Sequence, residues 1–352
     1  MRSMISQRTL KRVNRWKLAG VVAILLTVLT VLLAVENLLT SALIAFVVAY
    51  ILGPAVNIIE RQGVSRGLST VLVFVVVIAL ITLTGFFIAP YLGETLYRLK
   101  EDTPRFIVGV GHFISELEGR VQAISGPLAT FDLTTRVETF LTSRTSNFFE
   151  TLPSYVKTFV TVMLLGPFLA FFMVKDGRLM SRGTLGLVPN HLFETALSLL
   201  HQINLQVGQF VRARLLESFV VGLVTGIGLM AISFPYAVLL GIFAGVTNLV
   251  PYLGPILGAV PAFIVATANG YSALNIAAVA AVYMVAQLID AGFLIPLMVA
   301  KIVDLHPVTV IVVLIAGAQV LGVLGMIISI PVASTLKVTV STIYRHLIDT
   351  RT

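Results

Sequence analysis

The sequence predicts an all-α polytopic membrane protein. We expect about five to six full spanning helices, two broken or re-entrant helical hairpins, an external helical segment and a cytoplasmic amphipathic helix. Of the 352 residues, 57% are hydrophobic and only 11% are charged, whereas soluble domains carry about 25% charged residues. Uncharged runs near the roughly 20 residues needed to cross a bilayer recur along the chain. Basic residues concentrate at the ends of these runs.

The composition and the motifs of the sequence also exclude several classes of chemistry. The sequence contains no cysteine, which excludes disulfides and thiolate ligands. The histidines show no metal-ligand spacing, and the common protease, esterase and nucleotide-binding motifs are absent. We therefore expect no enzyme, no cofactor and no metal site. The net charge of +8 is explained by membrane topology, so we expect no nucleic-acid partner.

The N-terminal region, residues 1–93, predicts three spanning helices. A basic block without an acid precedes the first apolar run, residues 18–35. This run lacks a small-residue cleavage site, which favours a spanning helix over a signal peptide. The next two runs cover residues 38–59 and 67–93.

Basic residues set the predicted orientation, because cytoplasmic loops are enriched in lysine and arginine. The N-terminal block, two loop clusters and the basic C-terminus all fall on one side if the spans alternate. The loop clusters are Arg61 with Arg66, and Lys175 with Arg178 and Arg182. Both termini are therefore predicted to be cytoplasmic.

Residues 94–157 form the predicted external segment. It holds 8 acidic and 7 basic residues and so has no basic excess. Apolar residues recur at spacings of three and four on both sides of Gly126 and Pro127, which is typical of amphipathic helices. We expect a helical hairpin that packs on the membrane domain or on neighbouring subunits. A detached solvated linker is the alternative.

A fourth span and a cytoplasmic loop are predicted over residues 158–189. Residues 190–213 then predict an amphipathic helix at the cytoplasmic interface, with Asn190 as its N-cap. This helix is either a linker arm to a mobile unit or an inert interfacial anchor.

Residues 214–345 form the predicted transport region. After a span over residues 214–233, two apolar arms cover residues 236–250 and 256–268. Each arm reaches only about 20 Å as a helix, too short to span alone. The break between them carries the helix-disrupting residues Pro251, Gly254 and Pro255. A discontinuous spanning helix and a re-entrant hairpin are both open, and we favour the hairpin.

The same pattern occurs a second time. A span over residues 273–300 precedes two short arms, residues 307–321 and 326–337, which are separated at Gly322 and Gly325. Two units of a span plus a broken hairpin indicate an inverted-topology repeat, a construction common in secondary transporters. The broken positions form a predicted site or gate, with close helix packing as the alternative.

Four polar residues stand out in the apolar spans. Asp290 lies deep in its helix, where a charge is costly and indicates function. Gln287 lies three residues before it, and Asn248 and Gln319 precede the two breaks. We predict that these four side chains converge on a solute or cation site. The alternatives are a structural ion pair for Asp290 and interhelical hydrogen bonds for the amides. Arg214 and Glu217 are interpreted as a helix-end ion pair.

The C-terminal motifs resemble those of a known family. The residues that carry the resemblance are Asn248-Leu249-Val250-Pro251-Tyr252-Leu253-Gly254-Pro255, Gly258, Pro261, Gln287, Asp290, Pro296, Leu305-His306-Pro307, Gly317, Gly322, Gly325, Pro331 and, upstream, Lys175-Asp176-Gly177. Together they are similar to the autoinducer-2 exporter (AI-2E) family of bacterial inner-membrane permeases, over essentially the whole chain. Ala291, Ala300 and Ala318 depart from the family pattern.

The resemblance implies a secondary transporter in the bacterial inner membrane that assembles as a homo-oligomer in the lipid bilayer. Its solute would be small and polar, such as the signalling molecule autoinducer-2, with a proton or sodium as coupling ion. A cation/proton antiporter, a passive pore and a non-transporting envelope scaffold are the alternative functions.

Overall fold

The computed structural model describes residues 30–125, 133–186, 193–251, 254–299 and 305–349, together with positions 23, 26, 27 and 188. Every regular element in these residues is a helix, as the fold class predicts. Six helices in the described part are long and apolar enough to cross a membrane. Half of the predicted first span, residues 18–35, lies outside the described residues.

The first long helix, α1 (Leu38–Arg61), follows the predicted apolar run closely. It ends where Gly63 adopts a positive φ of 95°, a conformation that glycine takes without steric cost. Here α1 meets the start of α2 and the end of α3. Arg66 donates to Val174 O at 2.6 Å and to Glu60 Oε2 at 3.1 Å, and Arg178 donates to both oxygens of Glu60.

Helices α2 (Arg66–Ser125) and α3 (Leu133–Leu185) each join a predicted span to the predicted external segment without interruption. Pro90 and Pro104 in α2 each remove one backbone donor, but neither ends the helix. The two helices pack side by side, and Glu118 accepts hydrogen bonds from Leu133 N at 2.6 Å and from the Thr134 hydroxyl at 2.7 Å. The predicted turn at Gly126 lies outside the described residues.

The segment predicted to be external also packs on the C-terminal half. Phe106 is 7% exposed and belongs to an apolar cluster with Phe234, Leu240 and Val265. A Cβ added at Gly109 would lie 2.5 Å from Ala268 Cα. Helix α2 therefore touches the first hairpin directly.

Helix α4 (Phe193–Ala231) is a single helix of 39 residues. The sequence predicted an interfacial helix over residues 190–213 and a separate span from residue 214. The structure differs because this stretch contains no proline and no residue with positive φ to separate the two parts. The proposed N-cap, Asn190, lies outside the described residues.

The first hairpin consists of α5 (Ala237–Asn248) and α6 (Gly254–Ala268). The chain enters α5 through a tight reversal in which Ser233 and Tyr236 have positive φ. The two arms lie against each other, because a Cβ added at Gly258 would lie 3.1 Å from Ala244 Cα. This antiparallel contact favours the hairpin over a discontinuous spanning helix.

Glycines hold α5 tightly against α4. A Cβ added at Gly241 would lie 2.6 Å from Gly226 Cα, and one added at Gly245 would lie 3.2 Å from Gly222 Cα. Small residues permit this approach of two backbones. Packing therefore explains Gly222 and Gly226.

The second unit begins with α7 (Ala273–Ile289), which continues as a π-helix over Asp290–Val299. Helix α8 (Pro307–Asp349) is interrupted at Gly322, whose φ of 60° and ψ of −140° are not helical. The chain reverses there, since a Cβ added at Gly317 would lie 3.0 Å from Ser329 Cβ although the two residues are twelve positions apart. Gly325 lies in the second arm and packs against Gly317.

Candidate functional site

A cavity of about 710 Å³ lies among α4, the first hairpin, α7 and both arms of α8. Small-molecule sites occupy roughly 300–1,000 Å³ and are mostly apolar with a few placed polar groups. The cavity fits this description. Its polar lining comes from Arg214, Thr225, Asn248, Tyr283, Gln287 and Asp290.

Three of the four predicted site residues meet here. Asn248, Gln287 and Asp290 all line the cavity, although they come from two different repeats. Gln319 does not join them; it lies exposed on the second hairpin. In its place α8 contributes the apolar residue Val310.

Some of the predicted break residues lie at the cavity and others do not. Pro251 and Pro255 line the cavity, and Gly254 is buried at the start of α6 against Asn248. Gly322 and Gly325 belong to the second hairpin and do not line the cavity. The cavity is therefore built around the first break.

Arg214 connects α4 to the first break. Its guanidinium is buried, pairs with Glu217 one turn further along α4, and donates to Asn248 O at 2.5 Å and to Leu249 O at 3.3 Å. These carbonyls are at the carboxyl end of α5, where helices leave acceptors unpaired and carry partial negative charge. Arg214 thus satisfies the end of the short arm.

Asp290 places a second carboxyl group beside this pair. It is 3% exposed, and its carboxyl group lies close to that of Glu217. Among the described residues no cation lies within ion-pair distance of Asp290, and its Oδ1 has no hydrogen-bond partner. The described residues therefore do not form the ion pair between Asp290 and an arginine or lysine that was the alternative prediction.

Asn248 brings a further unpaired group. Its side chain is 1% exposed, and neither its Oδ1 nor its Nδ2 has a partner in the described structure. The Thr225 and Tyr283 hydroxyls at the cavity are also buried without a partner. Leaving such a group unpaired costs about 1–3 kcal/mol, so a set of them around one cavity is typical of a binding site.

The cluster also has an unequal charge. The described residues bring one guanidinium, from Arg214, and two carboxyl groups, from Glu217 and Asp290, to the same place. Uncompensated charge in a low-dielectric interior is costly. A cation or a proton would balance it.

The sequence interpretation missed the role of Arg214 and Glu217. It predicted the pair but placed it at a helix end, whereas both side chains are buried in the middle of α4. The available signal was their position just before a 72-residue uncharged stretch that ends at Asp290. Thr225 carries no comparable signal, because a threonine hydroxyl in an apolar helix can bond to a backbone carbonyl of its own helix.

Comparison with known proteins gives a match along nearly the whole chain. A model of the protein family described as "AI-2E family transporter" matches residues 21–345. No solute is specified by that description.

Several bacterial proteins are similar to the chain. "Putative transport protein YrrI" of Bacillus subtilis (strain 168) is 26% identical over 308 residues, which cover 87% of this chain and 86% of that protein. "Putative permease PerM" of Escherichia coli (strain K12) is 25% identical over 341 residues, 96% of each chain. A second Bacillus subtilis protein, "Putative transport protein YueF", is 27% identical over 310 residues.

Proposed function

Because this chain belongs to the AI-2E transporter family, we propose that it is a secondary transporter that carries a small polar solute across the bacterial inner membrane. The cavity beside the first hairpin is the proposed solute site, and Asp290, Asn248 and Gln287 are its proposed contacts. The observation that carries the proposal is the set of buried, unpaired polar groups around a cavity of about 710 Å³.

The short arms of the first hairpin provide a means for the solute to reach the cavity. Arms α5 and α6 contain 12 and 15 residues, about 18 and 22 Å of helix, so neither crosses the roughly 30 Å hydrocarbon core. We propose that the first hairpin enters the membrane and leaves it on the same side, and so covers the cavity from that side only. We propose that a shift of the first hairpin relative to α7 and α8 opens the cavity to alternate sides, with Pro251, Gly254 and Pro255 at the moving tip.

The second hairpin completes the proposed gate. Gly322 allows its tight reversal, and Gly325 allows its two arms to approach at Gly317. Val310 and Ile330 from the two arms line the cavity. The solute is proposed to be a small signalling molecule such as autoinducer-2, with a proton or sodium as coupling ion. Cytoplasmic termini and a homo-oligomer belong to the same proposal.

Flux in proteoliposomes of the purified protein tests this function. A proton or sodium gradient is imposed, and a panel of small polar metabolites that includes autoinducer-2 is followed. We expect gradient-dependent, saturable movement that Asp290→Asn abolishes while the protein still elutes as a folded species in size-exclusion chromatography.

A matched pair of variants tests the position of the site. Gln287→Leu alters the cavity wall and should reduce flux, whereas Gln319→Leu makes the same chemical change outside the cavity and should not. Equal loss in both variants would contradict the proposed site.

Other results would select the alternative functions. Current that rises without saturation would indicate a passive pore. Absence of movement for every solute and gradient would leave an envelope scaffold, with α2 and α3 beyond the membrane as its working part.

A further inference from the structure

We infer that the cavity selects solutes carrying a positively charged amine on a small apolar body. This inference rests on the proposed transport function and assigns a chemical class to the solute of the same site. That class takes the place of autoinducer-2, which carries no amine. It follows from the charge of the polar cluster, from the groups left unpaired there, and from the shape and lining of the rest of the cavity.

The first step is the balance of charge. Arg214 is held by Glu217 and by two backbone carbonyls of the first break, so its position is fixed by the protein itself. The carboxyl of Asp290 is then left without a cation among the described residues. A positively charged ligand balances this carboxylate, as a proton on either carboxyl group would, whereas a negatively charged ligand would add to the excess.

The second step concerns hydrogen bonding. Asp290, Asn248 and Thr225 line the cavity. Asp290 Oδ1, Asn248 Oδ1 and the Thr225 hydroxyl are buried without a partner in the described structure, and each can accept a hydrogen bond. A protonated primary amine offers three donors and no acceptor. It therefore complements a group of acceptors that includes a carboxylate.

The third step distinguishes an organic cation from a metal ion. In the described part of the chain no group of three or more histidine, aspartate or glutamate side chains could hold a metal ion. The cavity is also far larger than one ion, and most of its wall is apolar. That wall is formed by Phe210, Ile256, Phe263, Met284, Leu305 and Val310, which match an apolar body rather than a hydration shell.

Three probes that share one phenyl group test the class. The affinities of 2-phenylethylammonium, 2-phenylethanol and 3-phenylpropanoate are measured by calorimetry on the full chain in phosphatidylcholine nanodiscs, where the lipid itself is zwitterionic. We expect the ammonium probe to bind at least about tenfold more tightly than the other two, since hydrogen bonds to charged groups are stronger than those between neutral groups. Equal or tighter binding of the alcohol or the carboxylate would overturn the inference, as would no binding of the ammonium probe.

Two variants assign any preference to the cluster. Asp290→Asn keeps the shape of the side chain and should bring the ammonium probe within about threefold of the alcohol. Glu116→Gln removes a carboxylate from an exposed pair on α2 and should leave the preference unchanged. A preference that survives Asp290→Asn, or displacement of the probe by an equal concentration of Na⁺, would also refute the inference.

The flux experiment separates this inference from the proposed function. Saturable, gradient-dependent movement of a neutral or anionic metabolite would support the transporter and refute the amine class. Absence of all flux together with tight ammonium binding would support the ligand class and refute transport.

Discussion

Replacing Arg214 with glutamine should destabilise the folded protein strongly. Arg214 is 6% exposed and Glu217 is 0% exposed. Without the guanidinium, Glu217 and Asp290 face each other uncompensated, and the carbonyls of Asn248 and Leu249 lose their donor. Breaking a buried ion pair from one side costs about 3–5 kcal/mol, which is the loss we expect in the free energy of unfolding.

Replacing Glu217, the partner of Arg214, should lower the free energy of unfolding by less. In Glu217→Gln the guanidinium keeps its two carbonyl acceptors, and Asp290 remains as a nearby carboxylate. We therefore expect a loss of about 1.5–3 kcal/mol, the contribution of a hydrogen bond between charged groups. The double variant Arg214→Gln/Glu217→Gln leaves neither member of the pair buried without its partner. Its loss in the free energy of unfolding should therefore be smaller than the sum of the two single losses by at least about 1 kcal/mol.

Unfolding in sodium dodecyl sulfate, followed by the helical circular dichroism signal, gives the three free energies. The matched control is the same cycle on Glu116 and Arg120, an exposed pair one turn apart on α2, where no coupling should be measurable. If the losses at Arg214 and Glu217 add to within about 0.5 kcal/mol, the two side chains do not act as a pair and the charge argument for the cavity fails with them.

Three further substitutions test the hairpins by the same unfolding measurement. Gly241→Ala would place a methyl carbon 2.6 Å from backbone of α4 and should cost about 1–3 kcal/mol; Gly85→Ala, with open space around it, should not destabilise, and equal effects would contradict the close packing. Gly322→Ala puts alanine at φ 60° and ψ −140°, at a cost of about 1–3 kcal/mol, so an unchanged midpoint would mean that the reversal does not need glycine. Tyr236→Phe deletes the hydrogen bond to Asp102 and should cost about 1.5–3 kcal/mol. Burial and then that bond raise the pKa of Tyr236, so the bond is complete below the ordinary tyrosine pKa of about 10, and the cost should be the same at about pH 7 and about pH 9; a cost that falls between them would refute this assignment.

The sequence was sufficient to locate the hairpins. Proline and glycine at residues 251–255 divide an apolar stretch into arms too short to span, and a short segment of this kind can only be accommodated by a break or a reversal. Gly322 gives the same signal, and the structure adds its positive φ. What the sequence left open was whether the arms fold back, because that depends on contacts between glycines on different helices.

The sequence also singled out Asp290, since it is an isolated acid within long apolar runs. Asn248 and Gln319 were grouped with it because each precedes one of the two breaks. Of these two amides, Asn248 lines the cavity and Gln319 does not. The difference is one of position along the helix. Gln319 lies nine residues beyond Val310, which lines the cavity, and nine residues of helix are about 14 Å.

The helical boundaries were the least predictable feature. A change from apolar to amphipathic sequence at residue 93, and from amphipathic to apolar sequence at residue 213, predicted separate elements. The structure carries α2 and α4 straight through these positions. The surroundings of the helix change at these positions between lipid and water or protein. The helix continues because its backbone hydrogen bonds are made within the helix and do not depend on the surroundings.

The continuity of α2 has a mechanical consequence. Its 60 residues amount to about 90 Å of helix along the helix path. Arg66 ties one end to α1 and α3, and Phe106 and Gly109 contact the first hairpin. Because the helix is continuous, a displacement of its distal part is passed along its backbone to the residues that contact the hairpin. Those contacts lie near Phe234, Val265 and Ala268, at the end of the hairpin opposite the Pro251 break, so the predicted external segment is coupled to the base of the hairpin.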